Sequence, residues 1–272
     1  MSPSLVFYSG SELLEGPVFD NENSLLYFVS ILDGLVFCYQ PNTKEIISVK
    51  LDSPVGCVFL LGKKRVLAAS KNGFFEIDFT TLRKEFIFQI DIDNATRYND
   101  GIKDEKGRFI VGTMGYPTVK ENIGKVFSYH KGNYKTIIQN TTISNGLAFS
   151  LDHRFLYFID TPTKKVARYF YDIDNGEAVF DSYVIEFKDN GSPDGMSIDK
   201  NGMLWIAEWG GGSVSQWNPL NGEFLQKIQL PCVNVTSCCF DAHANLYVTT
   251  AKEKSSKDMF GGGLFYVELN KK

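Results

Sequence analysis

Residues 145–160 read NGLAFSLDHRFLYFID, in which a polar residue and a glycine precede an apolar stretch, a turn and an apolar strand. Related phrases occur five more times, before LLYFVS (residues 25–30), RVLAAS (65–70), RFIVGT (108–113), LWIAEW (204–209) and NLYVTT (245–250). They begin at Glu15, Val55, Asp100, Asn145, Asp194 and Thr236, so successive phrases start 40 to 49 residues apart. A period of about 40 to 50 residues with roughly four short strands is typical of a β-propeller. The sequence therefore predicts an all-β fold, a six-bladed β-propeller with four-stranded antiparallel blades.

The ends of the chain are expected to close the ring of blades. Leu5–Tyr8 precedes the first phrase, and we expect it to pair with Gly263–Val267 and complete the last blade. A single blade is too small to fold alone, so stacked blades should bury the aromatic residues, which include 22 Phe and 13 Tyr. No low-complexity linker divides the chain, and residues 1–272 are predicted to form one domain.

Composition and charge exclude several classes of partner. The chain carries 28 Lys and Arg against 32 Asp and Glu, with no basic cluster, so we expect no nucleic-acid partner. The N-terminus lacks a basic segment followed by an apolar one, and no apolar run approaches the ~18 residues of a membrane span. We therefore expect no membrane contact and a cytoplasmic location. The five cysteines form no Cys-x-x-Cys pair and are interpreted as reduced core thiols.

The residues that open the phrases suggest a metal site. Equivalent positions in radially repeated blades lie at similar distances from the axis, so these residues should approach one channel mouth. Glu15, Asp100, Asn145 and Asp194 would place three carboxylates and one amide there. Such oxygen donors suit Ca²⁺, Mg²⁺ or Mn²⁺ and accept Zn²⁺. Asp-Gly and Asn-Gly also form turns, so a turn role stays open for Asp100 and Asn145, whereas Glu15 has no such role.

Several motifs bring a family resemblance into view. EGPVF (residues 15–19), RYNDG (97–101), SNGL (144–147), DTP (160–162) and PDGM (193–196) resemble the family of senescence marker protein (regucalcin), gluconolactonase and luciferin-regenerating enzyme. The motifs follow the family's order and spacing over essentially the whole chain. The resemblance implies one divalent metal cation (Ca²⁺, Zn²⁺, Mn²⁺ or Mg²⁺) held by Glu15, Asn145 and Asp194. It also implies a substrate that faces Arg97 and Asn99, and it favours Asn99 over Asp100 as the pocket residue.

Residues 115–124 lie where members of this family carry a variable loop over the pocket. Glu121 is the only carboxylate of this segment. It is a candidate substrate-binding residue that would reach a substrate hydroxyl, and a solvated loop position remains the alternative. Trp205 and Trp209 fall on one face of a strand, which favours core packing over contact with a sugar.

The activity that the resemblance implies is metal-dependent opening of a sugar lactone. The cation would polarise the carbonyl, and Asp194, both ligand and catalytic base, would accept a proton from the attacking water. A related propeller esterase or phosphotriesterase and a non-catalytic calcium-binding protein are the alternatives. The expected partner is a small-molecule lactone, and the sequence leaves monomer and homodimer open.

Overall fold

The strands of the protein are arranged in six sheets of four. The computed structural model describes residues 2–188, 191–253, 258 and 260–269. Within these residues the sheets are antiparallel, and the helical structure is limited to a 3-10 turn, Thr161–Thr163. None of the helical structure in these ranges has the length and apolar character needed to cross a membrane.

Blades 1 to 5 take their strands in chain order from the axis outward. Blade 1 contains β2 (Leu14–Asp20), β3 (Leu25–Ser30), β4 (Leu35–Gln40) and β5 (Glu45–Lys50). Blade 2 contains β6 (Val55–Gly62), β7 (Arg65–Ser70), β8 (Gly73–Asp78) and β9 (Arg83–Phe88). Blade 3 contains β10 (Thr96–Lys103), β11 (Phe109–Gly115), β12 (Gly124–His130) and β13 (Asn133–Thr141). Blade 4 contains β14 (Ser144–Phe149), β15 (Phe155–Asp160), β16 (Lys165–Asp172) and β17 (Glu177–Glu186).

The last two blades complete the ring. Blade 5 contains β18 (Ser192–Ile198), β19 (Leu204–Trp209), β20 (Ser213–Asn218) and β21 (Glu223–Gln229). Blade 6 contains β22 (Asn234–Phe240), β23 (Leu246–Ala251), β24 (Gly263–Val267) and, as its outer strand, β1 (Ser4–Tyr8). β1 pairs with β24 from Ser4 opposite Tyr266 to Tyr8 opposite Gly263, and β2 contacts β22. The six-bladed propeller and its closure by the N-terminal strand are therefore confirmed.

The hydrophobic core is divided among the six interfaces between neighbouring blades. Each interface holds one cluster of buried residues contributed by both blades. Tyr27 of blade 1 packs against Phe79, which lies between β8 and β9 of blade 2, with ring centroids 5.4 Å apart, and both side chains are buried. The five cysteines are buried and free, as predicted. Adjacent blades thus supply each other with the core that a single sheet lacks.

The repeated phrase has a structural cause in the innermost strands. The pairing of each innermost strand with the next strand shifts register at the phrase, for example between Ser144 and Leu147 and between Pro193 and Met196. A β-bulge of this kind bends the strand and redirects its side chains. A Cβ on Gly146 would lie 2.6 Å from the Asp194 carbonyl oxygen of the next blade. Glycine therefore lets the innermost strands approach closely around the axis.

Candidate functional site

A cavity of about 200 Å³ lies where the innermost strands of blades 1, 3, 4 and 5 converge. Its lining consists of Leu13, Glu15, Arg97, Asn99, Met114, Ile143, Asn145, Thr161, Asp194 and Trp209. The cavity thus brings together five of the six predicted site residues, from positions up to 179 residues apart in the chain. The sixth, Glu121, is exposed and does not line this cavity.

Glu15, Asn145 and Asp194 are buried, with at most 7% of their surface exposed. The Oε2 atom of Glu15 accepts a hydrogen bond from the Gly16 N–H at 2.9 Å. The Oδ1 atoms of Asn145 and Asp194 are buried without a hydrogen-bond partner. An unpaired buried acceptor costs about 1–3 kcal/mol, so each such atom calls for an explanation.

A hard divalent cation fits this donor set, because carboxylate and amide oxygens are the ligands that Ca²⁺ and Mg²⁺ prefer. The two unpaired oxygens lie in the same cavity as the Glu15 carboxylate. Across the part of the chain that the structure describes, His, Cys, Asp and Glu alone form no group of three placed to hold a metal. The predicted set differs from such a group because its third donor is the amide of Asn145.

The electrostatics of the site disfavour bare carboxylates. Burial, reinforced by Asp100, raises the pKa of Glu15 to about 8, whereas the Gly16 N–H and Arg97 act to lower it. Burial, with Glu15 and Asp100, holds the pKa of Asp194 well above its ordinary value. Burial also raises the pKa of Asp100 to about 6. Negative charge is therefore costly here unless a cation offsets it.

Arg97 and Asn99 are held in a hydrogen-bonded chain on one side of the cavity. The Nη1 atom of Arg97 donates to the Tyr98 carbonyl at 2.9 Å and to Asn99 Oδ1 at 2.7 Å. Asn99 Nδ2 in turn donates to the Ser144 carbonyl of blade 4 at 2.9 Å. Burial lowers the pKa of Arg97 to about 10, which still leaves the guanidinium charged at neutral pH. These contacts fix both side chains and use the two hydrogens of Nη1.

Asp100 lies at a different cavity from Asn99. It lines a second cavity of about 290 Å³, together with Cys57, Ser197 and Cys238 among others. Its Oδ1 atom accepts the Gly101 N–H at 2.7 Å, a local contact at the bulge of β10. The structure thus places Asn99, and not Asp100, beside the predicted metal ligands, in the arrangement that the family resemblance favours.

Thr161 lines the cavity and was not predicted from the sequence. Its Oγ1 atom accepts a hydrogen bond from Asn145 Nδ2 at 3.1 Å and donates one to the Pro193 carbonyl at 2.9 Å. One hydroxyl therefore connects the Asn145 side chain to the residue before Asp194. The neighbouring Asp160 carboxylate accepts the Ile143 N–H at 2.8 Å and so fixes the approach to Asn145. The only signal was the motif Asp160-Thr161-Pro162 after a strand.

Trp209 corrects one sequence-based expectation. Trp205 is buried, and its Nε1 atom donates to Asp199 Oδ2 at 2.9 Å, so core packing is confirmed for this residue. Trp209 is 39% exposed and lines the cavity, so core packing is wrong for it. It is the last residue of β19, just before the turn at Gly210, and the stacked part of the blade ends there.

Residues 115–124 approach the site through Tyr116 and not through Glu121. The Tyr116 N–H donates to the Ala95 carbonyl at 2.8 Å, and the phenol lies close enough to Arg97 to influence the pKa of the guanidinium. Glu121 is exposed on the surface next to Asn122, whose N–H donates to Thr142 Oγ1 at 3.2 Å. Glu121 does not line the cavity. Its substrate-binding role remains a prediction.

Comparison with known proteins places the chain in a family. Residues 13–252 match the family described as SMP-30/Gluconolactonase/LRE-like region. The chain is 33% identical to regucalcin of Xenopus laevis over 255 residues, which cover 90% of this chain and 85% of that protein. It is 34% identical over 264 residues to a candidate sugar lactone lactonase of Bacillus subtilis (strain 168), covering 94% of this chain and 90% of the other.

A solved structure shares the fold. It is that of a calcium-binding protein, regucalcin, from Agrobacterium tumefaciens str. C58, with a TM-score of 0.90 and 24% identity. The match covers 97% of this chain and 92% of that chain. The propeller, its axial cavity and the sequence match over most of the length agree, and the chain belongs to the SMP-30/gluconolactonase/LRE-like family.

Proposed function

We propose that the protein is a metal-dependent lactonase that opens cyclic esters in the cavity between blades 1, 3, 4 and 5. The observation that carries the proposal is the pair of unpaired buried oxygens, Asn145 Oδ1 and Asp194 Oδ1, in one cavity with Glu15, Arg97 and Asn99. The family includes gluconolactonases, and the Bacillus subtilis relative is named for sugar lactone hydrolysis. Both support a carboxylic ester as the substrate.

Glu15, Asn145 and Asp194 are the proposed ligands of one divalent cation. When bound, the cation supplies Lewis-acid polarisation of the ester carbonyl. The Agrobacterium tumefaciens protein is described as calcium-binding, which favours Ca²⁺ as the cation. Mg²⁺, Mn²⁺ and Zn²⁺ remain candidates, because the same oxygen donors accept them.

The remaining chemistry follows from the side chains of the cavity. Asp194 is the proposed catalytic base, since its carboxylate lines the cavity and has one oxygen free of hydrogen bonds. It takes a proton from the water whose oxygen bonds to the carbonyl carbon, and the proton is returned to the ring oxygen as the ring C–O bond breaks. Arg97 and Asn99 orient the ester from one side. The product is the open hydroxy acid.

The test is ring opening of D-glucono-δ-lactone by chelator-treated protein, followed with a pH indicator before and after return of Ca²⁺, Mg²⁺, Mn²⁺ or Zn²⁺. We expect one or more cations to restore turnover, and Asp194→Ala to abolish it. Asp52→Ala is the matched control, because the Asp52 side chain is 93% exposed. Absence of turnover on this lactone and on other cyclic esters with every cation would refute the proposal.

A non-catalytic cation-binding protein is the second candidate, favoured by the calcium-binding description of the structural neighbour. It predicts that Glu15→Gln abolishes cation binding while any slow lactone opening continues at the original rate. Parallel loss of binding and turnover would exclude it.

A further inference from the structure

Part of the cavity lining is apolar. Four of its ten lining residues, Leu13, Met114, Ile143 and Trp209, carry hydrocarbon or aromatic side chains. They come from or adjoin blades 1, 3, 4 and 5, and Met114 and Ile143 are joined by an isolated β-bridge. We call these four residues the apolar wall. Because its members are attached to different blades, the packing of the blades sets their positions.

Trp209 is the exposed member of this wall. It is 39% exposed, whereas Met114 is 8% exposed. A large indole that faces a cavity gains by covering its apolar surface with a ligand, and aromatic rings supply much of the binding energy in such sites. Core packing does not account for its position, since Trp205 on the same strand supplies the buried indole.

Part of the polar lining of the cavity is already engaged in hydrogen bonds within the protein. Arg97 Nη1 uses both of its hydrogens within the protein, and Asn99 is bonded through both its oxygen and its nitrogen. Asn145 Nδ2 is engaged by Thr161. A ligand hydroxyl that faced the apolar wall would lose its water without finding a partner. The volume of about 200 Å³ lies below the ~300–1,000 Å³ typical of sites for drug-sized ligands, which favours a small ring.

From these observations we propose that Trp209 and the apolar wall select small lactones with a hydrocarbon face, such as alkyl-substituted δ-lactones, over polyhydroxylated sugar lactones. Trp209 is the specificity-determining residue. The inference rests on the proposed lactonase function and narrows its substrate class. The polar residues of the cavity contact the ester group, and the apolar wall contacts the ring substituents.

The first test compares kcat/KM for δ-hexalactone and D-glucono-δ-lactone in the wild type, Trp209→Ala, Trp209→Phe and Phe224→Ala. Phe224 is a half-exposed aromatic residue on the outer strand of the same blade, away from the cavity, and serves as the matched control. We expect the wild type to prefer δ-hexalactone. Trp209→Ala should lower kcat/KM on that substrate on the order of tenfold, mainly through KM, as expected for loss of one or two methylene-sized contacts.

The other variants complete this test. Trp209→Phe should keep most of the activity, and Phe224→Ala should leave both substrates unchanged. On glucono-δ-lactone Trp209→Ala should lower kcat/KM by a smaller factor than on δ-hexalactone. A wild type that prefers glucono-δ-lactone, or an equal loss on both lactones in Trp209→Ala, would overturn the proposal.

Binding of a lactam separates this inference from the lactonase proposal. The δ-lactam with the same methyl substituent has the ring of δ-hexalactone but resists hydrolysis, and its binding is measured by calorimetry with and without Ca²⁺. If no lactone is turned over, the proposed function fails, while tight lactam binding that is lost in Trp209→Ala still supports the wall. Wild-type protein that does not bind the lactam in either condition would overturn the wall proposal, whatever the turnover.

Discussion

Replacing Thr161 by valine tests how the candidate cation site is held in shape. The change keeps the branched side chain and removes only the hydroxyl. That hydroxyl makes two hydrogen bonds, to Asn145 Nδ2 at 3.1 Å and to the Pro193 carbonyl at 2.9 Å. In the variant, the Asn145 amide loses its hydrogen bond to the Thr161 hydroxyl, so its Oδ1 atom is held less firmly in the cavity.

The magnitude follows from these two contacts. Each hydrogen bond contributes about 1 kcal/mol net, so the unfolding free energy of the metal-free variant should fall by about 1–2 kcal/mol. Groups that orient metal ligands typically change affinity by 10–100-fold, and we expect the dissociation constant for the cation to rise within that range. Because the variant remains folded, its lower stability does not by itself weaken cation binding. The loss of affinity should therefore come from the changed position of the Asn145 ligand.

The assay is titration calorimetry of chelator-treated protein with Ca²⁺, beside a denaturant unfolding curve. Thr161→Ser keeps the hydroxyl and should restore affinity to near the wild-type value. Thr163→Val is the matched control, because Thr163 lies on the same turn but is exposed and donates to the Asp160 carbonyl at 2.7 Å. A Thr161→Val protein that binds Ca²⁺ within twofold of the wild type, or an equal loss in Thr163→Val, would refute the reasoning.

Three further predictions concern the same region. Glu15→Gln should abolish Ca²⁺ binding by calorimetry, whereas Glu12→Gln at an exposed neighbouring position should not. Between the ordinary value of 4.5 and its raised pKa of about 8, Glu15 keeps a proton in the folded chain that the unfolded chain releases, so the stability of the metal-free protein should fall as pH rises. The slope is at most about 1.4 kcal/mol per pH unit for one group, and unfolding curves at pH 5, 6.5 and 8 should show it in the wild type and less of it in Glu15→Gln. Gly146→Ala should destabilise the fold by about 1–3 kcal/mol in denaturant unfolding, because its Cβ would meet the Asp194 carbonyl oxygen at 2.6 Å; a wild-type midpoint would contradict this packing.

The blades were predictable because related phrases recur six times at a regular spacing. Five of the six phrases place a glycine where the innermost strand bulges, and all six are followed by an apolar strand, so the same pattern at regular spacing leaves few folds to consider. The convergence of Glu15, Asn145 and Asp194 at one cavity follows from the same periodicity. Radial repetition turns sequence distance into angular position, and thus a spacing in the chain predicts a neighbourhood in space.

Other parts of the site were not predictable, for reasons that are specific to each residue. The side-chain period of two puts Trp209 on the face of Trp205, but burial also depends on where the strand ends. Thr161 acts through a carbonyl of the next blade, and no local pattern in the chain encodes that contact. Glu121 is the only carboxylate of residues 115–124, but the residue type does not determine whether a loop side chain faces the cavity or the solvent.

The charges of the site connect the fold to the proposed chemistry. Burial raises the pKa of the Glu15, Asp100 and Asp194 carboxylates, and neighbouring carboxylates raise the pKa of Glu15 and of Asp194 further. Arg97 offsets only part of this repulsion, since the pKa values of Glu15 and Asp194 stay raised although its charge acts to lower them. The ring geometry that predicts the site from sequence is therefore also what makes a divalent cation favourable there. The blade interfaces lie outside this polar centre, and their buried apolar surface supplies stability that offsets the cost of such a cluster.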